Sequence, residues 1–228
     1  MLRKIASKSK PKRAAQGRAK GRSYGGMSDE ERRRERRERF LQAGVAVFGE
    51  KGYAATTTRG LCQAAGLTQR YFYESFRDTE ELFVEVARGL AASLERQLLA
   101  AEAGAPQEPS AQLKAVLACY FEILKQDPRS ARIMLVEAYS ANPPVGVLAL
   151  EFSAKLSELL HTRMRAAFPA FASKALHTHL LAAGLVGATH HIALKWMLGG
   201  FREPVAEVVN TAFVVYFGPL LQLGAKSK

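Results

Sequence analysis

Three apolar patterns of helical period, two closed by glycine and one by a charged turn, are compressed between Ser28 and Asp78. Ser28 and Glu31 have the spacing of a capping box, and Asp29 and Glu30 suit the positive end of a helix dipole. A charged run follows to Arg39, in which Glu30–Arg34 and Glu35–Arg39 are i,i+4 pairs on a solvated helix. From Phe40 the pattern turns amphipathic: Phe40, Leu41, Gly44, Val45, Val47 and Phe48 recur at helical spacing until Gly52 stops it. Thr56-Thr57-Thr58 offers an N-cap for a short helix with Leu61, Cys62 and Ala65 on one side, and Gly66 breaks it. Thr68 is a natural cap for the third helix, where Phe72 and Phe76 form an inward i,i+4 pair. Three helices in so short a stretch, the last two joined by a tight glycine turn, make a helix-turn-helix unit.

The rest of the chain also reads as helix. Residues 76–82 end the third helix and cap a long one over about 78–102. After the loop from Gly104 to Pro109, helices are expected near 110–126, 128–140, 145–168, 172–198 and 204–222. Pro128 and Pro204 sit near helix starts, whereas Pro143-Pro144 and Gly199-Gly200 read as breaks. No strand-like alternation and no internal repeat is evident, so the fold class is all-α.

Of the 228 residues 48% are hydrophobic, enough for a sizeable core. The formal net charge is +12, and nine of the basic residues lie in 1–26, which has no acid. Residues 1–27 therefore read as a disordered basic arm that suits a polyanion, with an inert tail or a start at Met27 as the alternative. Cys62 and Cys119 cannot form a disulfide framework and lack zinc-site spacing, which fits a reducing compartment. Residues 175–194 and 208–225 carry no Asp, Glu, Lys or Arg. The first contains His177, His179, His190 and His191 and the second Asn210 and Gln222, so both read as buried helices of a cytoplasmic protein, not membrane spans. The histidines are spaced i,i+2 or adjacent, which does not put two imidazoles on one helix face, so no metal site is expected. No nucleophile elbow, phosphate-binding loop or catalytic carboxylate pair stands out, so neither an enzyme nor a cofactor is indicated.

The stretch from Arg39 to Glu85 goes further. Phe48-Gly49-Glu50-Lys51-Gly52-Tyr53, Ala55-Thr56-Thr57, Ala64-Ala65-Gly66-Leu67-Thr68, Tyr73, Phe76 and Glu80-Glu81-Leu82 closely resemble the DNA-binding domain of the TetR family of transcriptional regulators. Arg70 stands where many members have glycine, Gly60 where the residue is often acidic, and Cys62 where it is often alanine. The resemblance implies a helix-turn-helix domain at 28–77 and a helical ligand-binding and dimerisation domain at 78–224, and the basic arm at 1–27 is longer than the family core needs.

In a helix-turn-helix the second helix enters the major groove with its first residues toward the base edges. Those residues are Thr68, Gln69, Arg70 and Tyr71. Gln69 can pair bidentately with adenine and Arg70 with guanine, or both can touch only phosphates. Thr57 and Thr58 at a helix N-terminus, and Arg59, suit phosphate contacts, and the resemblance gives Tyr73 the same role. Cys62 and Cys119 read as small buried thiols rather than redox sensors. Lys51 and Arg77 read as solvated charges.

Ala183, Gly184, Gly187, Ala188 and His191 form a narrow small-residue face, and the last helix, with Val209 and Phe213, is apolar over a wide arc. Two such helices suggest a four-helix interface in a homodimer, with an intrachain contact as the alternative. Tyr120, Phe121, Met134, Glu137, Tyr139, Phe152, Met164 and Trp196 are candidates for lining a pocket for a hydrophobic or cationic small molecule, with core filling as the alternative for each. The expected protein is a dimeric regulator of double-stranded DNA at a pseudo-palindromic operator, a repressor released by a small ligand. The rivals are a DNA or nucleoid-type binder without a ligand, attached through its basic arm, and a helical enzyme with an incidental helix-turn-helix.

Overall fold

A computed structural model of the chain describes residues 28–140, 143–167 and 177–224; the basic arm expected at 1–27 lies outside them. The architecture is all-helical, and there is no strand among the described residues. Helix α1 runs from Asp29 to Lys51, α2 from Thr58 to Ala65, α3 from Gln69 to Ser75 and α4 from Thr79 to Gly104. Then follow α5 (Pro109–Gln126), α6 (Pro128–Arg132), a π-helical turn (Ile133–Glu137) and α7 (Ala138–Ser140). The last three are α8 (Pro143–Ala167), α9 (Thr178–Leu198) and α10 (Val205–Gly224).

Local chemistry places the first four helices. The Ser28–Glu31 capping box forms in both directions. Thr57 caps α2 through Gly60 N–H, and Asp78 caps α4 through Glu81 N–H at 2.8 Å. Gly66 ends α2 at φ +63, a left-handed conformation that a side chain would strain. Thr68 occupies the N-cap position of α3, but its hydroxyl makes no capping bond.

Two apolar clusters hold the chain. The first is largely aromatic: Phe40, Phe48, Phe72, Phe76 and Phe83 are fully buried together with Leu61 and Leu82. Phe40 meets Phe72 edge-on at 5.4 Å between centroids, and Phe48 meets Phe83 at 4.9 Å. Gly44 lets α1 and α4 close up, since a Cβ there would stand 2.9 Å from Val86 Cγ2. The second cluster gathers Leu117, Phe121 and Leu124 of α5 with Leu185 and Trp196 of α9 and Val208, Val209 and Tyr216 of α10. Within it the Thr189 and Tyr216 hydroxyls share a buried hydrogen bond of 2.9 Å. Leu82, Phe83 and Val86 at the start of α4 belong to the first cluster, while farther along Glu95 and Glu102 pair with Lys155 and Arg163 of α8.

Pro143-Pro144 stands at the junction between α7 and α8, as expected, but the prolines open α8 rather than precede it, where a missing N–H costs nothing. One expectation needs correcting. The stretch 128–140 is not one regular helix: Ala138 N–H reaches back five residues to Ile133 O, widening the turn. No glycine or proline lies in Ile133–Glu137 to announce it. The segment serves two cores, Ile133 being buried in the first cluster and Ala131 and Leu135 in the second.

That turn also holds the first cluster to the rest of the chain. Glu137, 9% exposed, accepts from Tyr53 N–H at 2.8 Å and from Arg132 Nε at 3.1 Å. Arg132 Nη1 donates to Glu50 O at 2.8 Å. Gly52 takes φ +82 beneath them, where a Cβ would lie 3.0 Å from Glu137 Oε1. Gly49 packs directly on Arg129, with room for no side chain.

Candidate nucleic-acid interface

The buried face of α3 is Phe72, with Phe76 just beyond its end, and both are locked against Phe40. That leaves the opposite side of the helix free: Thr68, Gln69 and Arg70 stand exposed in a row at its N-terminal end. Tyr71 is half-buried, its ring lying 4.4 Å beneath the Arg36 guanidinium. Tyr73 is 61% exposed, and its ring leans edge-on against Phe72 at 5.4 Å. The phenol oxygen thus sits on an outward arm whose base is anchored in the core.

Thr57 and Arg59 are exposed and Thr58 half-buried at the start of α2. Thr57 Oγ already accepts from Gly60 N–H at 3.2 Å, which leaves its hydroxyl proton for an outside acceptor. The α2–α3 turn is braced from α1, where Arg39 Nη2 donates to Ala65 O at 2.7 Å and to Gly66 O. Arg77 lies beside Asp78, and its guanidinium together with Glu81 N–H holds the Asp78 carboxyl below the usual carboxylate range. Thr57, Arg59, Thr68, Gln69, Arg70 and Tyr73 are therefore accessible together on the helix-turn-helix, with Thr58 and Tyr71 partly so.

Three α1 arginines escaped the reading of Arg32–Arg39 as a solvated run. Arg36 covers Tyr71, Arg37 lies 4.7 Å over the Phe76 ring and pairs with Glu85 at 3.3 Å, and Arg39 caps α2. Their positions one turn before Phe40 and beside it were the available signal.

The other residues singled out from sequence lie in the second half of the chain. Phe121, Met164 and Trp196 are buried in the second cluster, and Tyr120 and Met134 pack against it. Phe152 is half-buried, and Tyr139 is 42% exposed with its ring 4.6 Å from that of His190. Glu137 is hydrogen-bonded to Tyr53 and Arg132. A shallow groove of roughly 430 Å³ runs elsewhere, between Lys114, Ala118 and Glu122 of α5 and Val205, Val209 and Asn210 of α10.

On α9, Ala183, Gly184, Gly187 and His191 are exposed and Ala188 half-buried, and a Cβ at Gly184 or Gly187 would meet nothing within 4 Å. Val209 is not on that open face: it is buried within the chain. Phe213 packs half-buried beneath Lys114 at 4.6 Å. Among the described residues of α9 and α10, the large apolar side chains that stand exposed are Leu180, Leu198 and Val214.

Burial pushes both the Cys62 and Cys119 thiols up, away from the thiolate a reactive cysteine needs. Among the described residues no group of three or more His, Cys, Asp or Glu could hold a metal ion. Nor is any described helix long and apolar enough to cross a membrane.

Residues 40–86 match the family model for bacterial regulatory proteins of the tetR family. An uncharacterised HTH-type transcriptional regulator of Bacillus subtilis (strain 168), YdgC, is 26% identical over 182 residues, 77% of this chain and 90% of the relative. A TetR-like transcriptional regulator from Rhodococcus sp. RHA1 has the same fold, with a TM-score of 0.67 at 20% identity, covering 81% of this chain and 95% of that one. So does the transcriptional regulator FadR from Bacillus subtilis in complex with stearoyl-CoA, with a TM-score of 0.67 at 16% identity over 78% and 96% of the two chains. With the accessible helix-turn-helix and its aromatic core, these matches show a DNA-binding domain like that of the tetR family at residues 40–86, in a chain similar over most of its length to an HTH-type transcriptional regulator.

Proposed function

We propose that the protein is a cytoplasmic homodimeric repressor that reads a pseudo-palindromic operator with α3 and leaves it on binding a hydrophobic small molecule. The observation that carries the reading is the row Thr68, Gln69 and Arg70, fully presented on a short helix whose other face is locked into a phenylalanine core. A rigid, outward-facing first turn is what base readout in a major groove requires. Gln69 and Arg70 read bases, Tyr71 flanks them, and Thr57, Thr58, Arg59 and Tyr73 hold phosphates. The reading unit is residues 28–77, steadied by the start of α4, and 78–224 forms the ligand-binding and dimerisation unit, with the arm at 1–27 adding sequence-independent attachment. Ala183, Gly184, Gly187, Ala188 and His191 give the dimer its close helix contact, and Phe213 borders it.

A ligand acts by favouring a spacing of the two α3 helices that no longer fits the operator. The aromatic and methionine-rich second cluster, with Met164 in it and Tyr120 and Met134 packed against it, supports an apolar ligand. Because FadR of Bacillus subtilis is a fold relative in complex with stearoyl-CoA, that compound is the first probe. A gel shift on DNA upstream of the protein's own gene, with and without stearoyl-CoA, tests both halves: a retarded band that the acyl-CoA releases is expected. A band insensitive to stearoyl-CoA and to other acyl chains removes the apolar ligand from the reading and leaves the DNA binder.

Arg70→Ala should cost about 1–3 kcal/mol on the operator and relax preference at one base pair. Tyr73→Phe should weaken operator and random DNA alike, because a phosphate contact carries no base information. Competition titrations separate the two classes: equal losses for Arg70→Ala on both DNAs would move Arg70 to the backbone.

A further inference from the structure

Glu74 is out of place on either simple view of α3. It lies in the last turn, where a carboxylate faces the negative end of the helix dipole. It follows Arg70 by four residues, the less favourable order for a helical ion pair. It also brings a negative charge to the surface that approaches phosphates. A carboxylate that helps neither the helix nor the attraction to DNA has to be accounted for by the side chains it holds.

It holds two. Glu74 Oε1 takes Arg70 Nε at 3.0 Å, and Oε2 faces Arg36 Nη2 at 3.8 Å. Arg36 is only 19% exposed and fixed over the Tyr71 ring, so this end of the chain is anchored. At the other end Arg70 is 84% exposed, with its Nε occupied. What remains is the outer edge of the guanidinium, Nη1 and Nη2 with their parallel N–H groups. That is the fork that pairs with guanine O6 and N7.

We propose that Glu74, steadied by Arg36, is a positioning residue that sets Arg70 in its guanine-reading geometry before DNA arrives and so determines base preference at one position of each half-site. The inference rests on the reading of α3 as the base-reading helix. Holding the fork in advance spares the ordering of one long side chain on binding. The benefit goes to the one base whose two acceptors match the fork, and it amounts to about a three- to tenfold gain in discrimination. Binding to DNA in general gains nothing from Glu74, since its charge opposes the phosphates.

The test selects from a pool of random-sequence duplexes with the full chain and three variants, Glu74→Ala, Arg36→Ala and Arg70→Ala. Alanine is the best helix former, so Glu74→Ala should melt at or above the wild-type temperature. Its guanine enrichment at the Arg70 position should fall about three- to tenfold, while its affinity for random duplex stays level or rises. Arg36→Ala should lower the same enrichment at the same position. If Arg70→Ala changes no position, α3 is not reading with Arg70 and the underlying assignment fails. If Arg70→Ala erases one guanine that Glu74→Ala leaves intact, the positioning role is overturned. Loss of a cytosine preference at a different position would overturn it too, by making Glu74 a direct reader of the cytosine amino group.

Discussion

Gly187→Trp is expected to leave each subunit folded and to remove dimerisation and operator binding together. Gly187 is exposed on α9, and a Cβ there would meet nothing within 4 Å of its own chain. An indole can therefore be accommodated by the isolated subunit. In a four-helix contact built on Ala183, Gly184, Gly187 and Ala188 it cannot, because the backbones approach through the missing side chains. Separating the subunits turns a two-site attachment into two independent single-site ones, a loss on the order of a hundredfold or more on a pseudo-palindromic operator. Light scattering gives the mass, circular dichroism the fold and a gel shift the DNA binding. A variant that remains dimeric would move the interface off this face of α9.

The second large effect is at Glu137. Glu137→Ala removes the acceptor of Tyr53 N–H and the partner of Arg132 Nε in one step. Hydrogen bonds to a charged group are worth about 1.5–3 kcal/mol, and Arg132, 40% exposed, recovers part of its loss from water. The expected destabilisation is about 2–3 kcal/mol, or roughly 4–12 °C in Tm for a chain of this size. Glu137→Gln should cost about half as much, because its one amide oxygen can serve Tyr53 or Arg132 but not both. Calorimetry on the two variants checks the order. A Glu137→Ala melt that overlays the wild type would mean that the contact across the α1–α2 corner carries no net stability.

Glu137 also marks where sequence reasoning stopped. An acid among aromatic and methionine residues reads as a ligand contact, and nothing in its neighbours in the chain names Tyr53 as its partner. The bond depends on α6 lying against the end of α1, and that approach is permitted by Gly49 and Gly52, which the sequence presents simply as part of a helix end. The π-helical turn at Ile133–Glu137 was illegible for the same reason. It satisfies two cores at once, whereas helical periodicity describes one apolar face.

What the sequence determined by itself was local: the Ser28–Glu31 box, an N-cap within Thr56-Thr57-Thr58, a capping turn within 76–82, the break at Gly66, and the Phe40, Phe72 and Phe76 faces that make the helix-turn-helix. Each depends on residues within a turn or two, or on a 3.6-residue period, so the chain states it directly. Only the tertiary structure decided that Val209 is consumed by the chain's own core, that Arg36 lies on Tyr71, and that Glu74 joins Arg36 to Arg70. Such partners are brought together by packing between helices. A long charged side chain reads identically in sequence whether it waves in water or covers an aromatic ring.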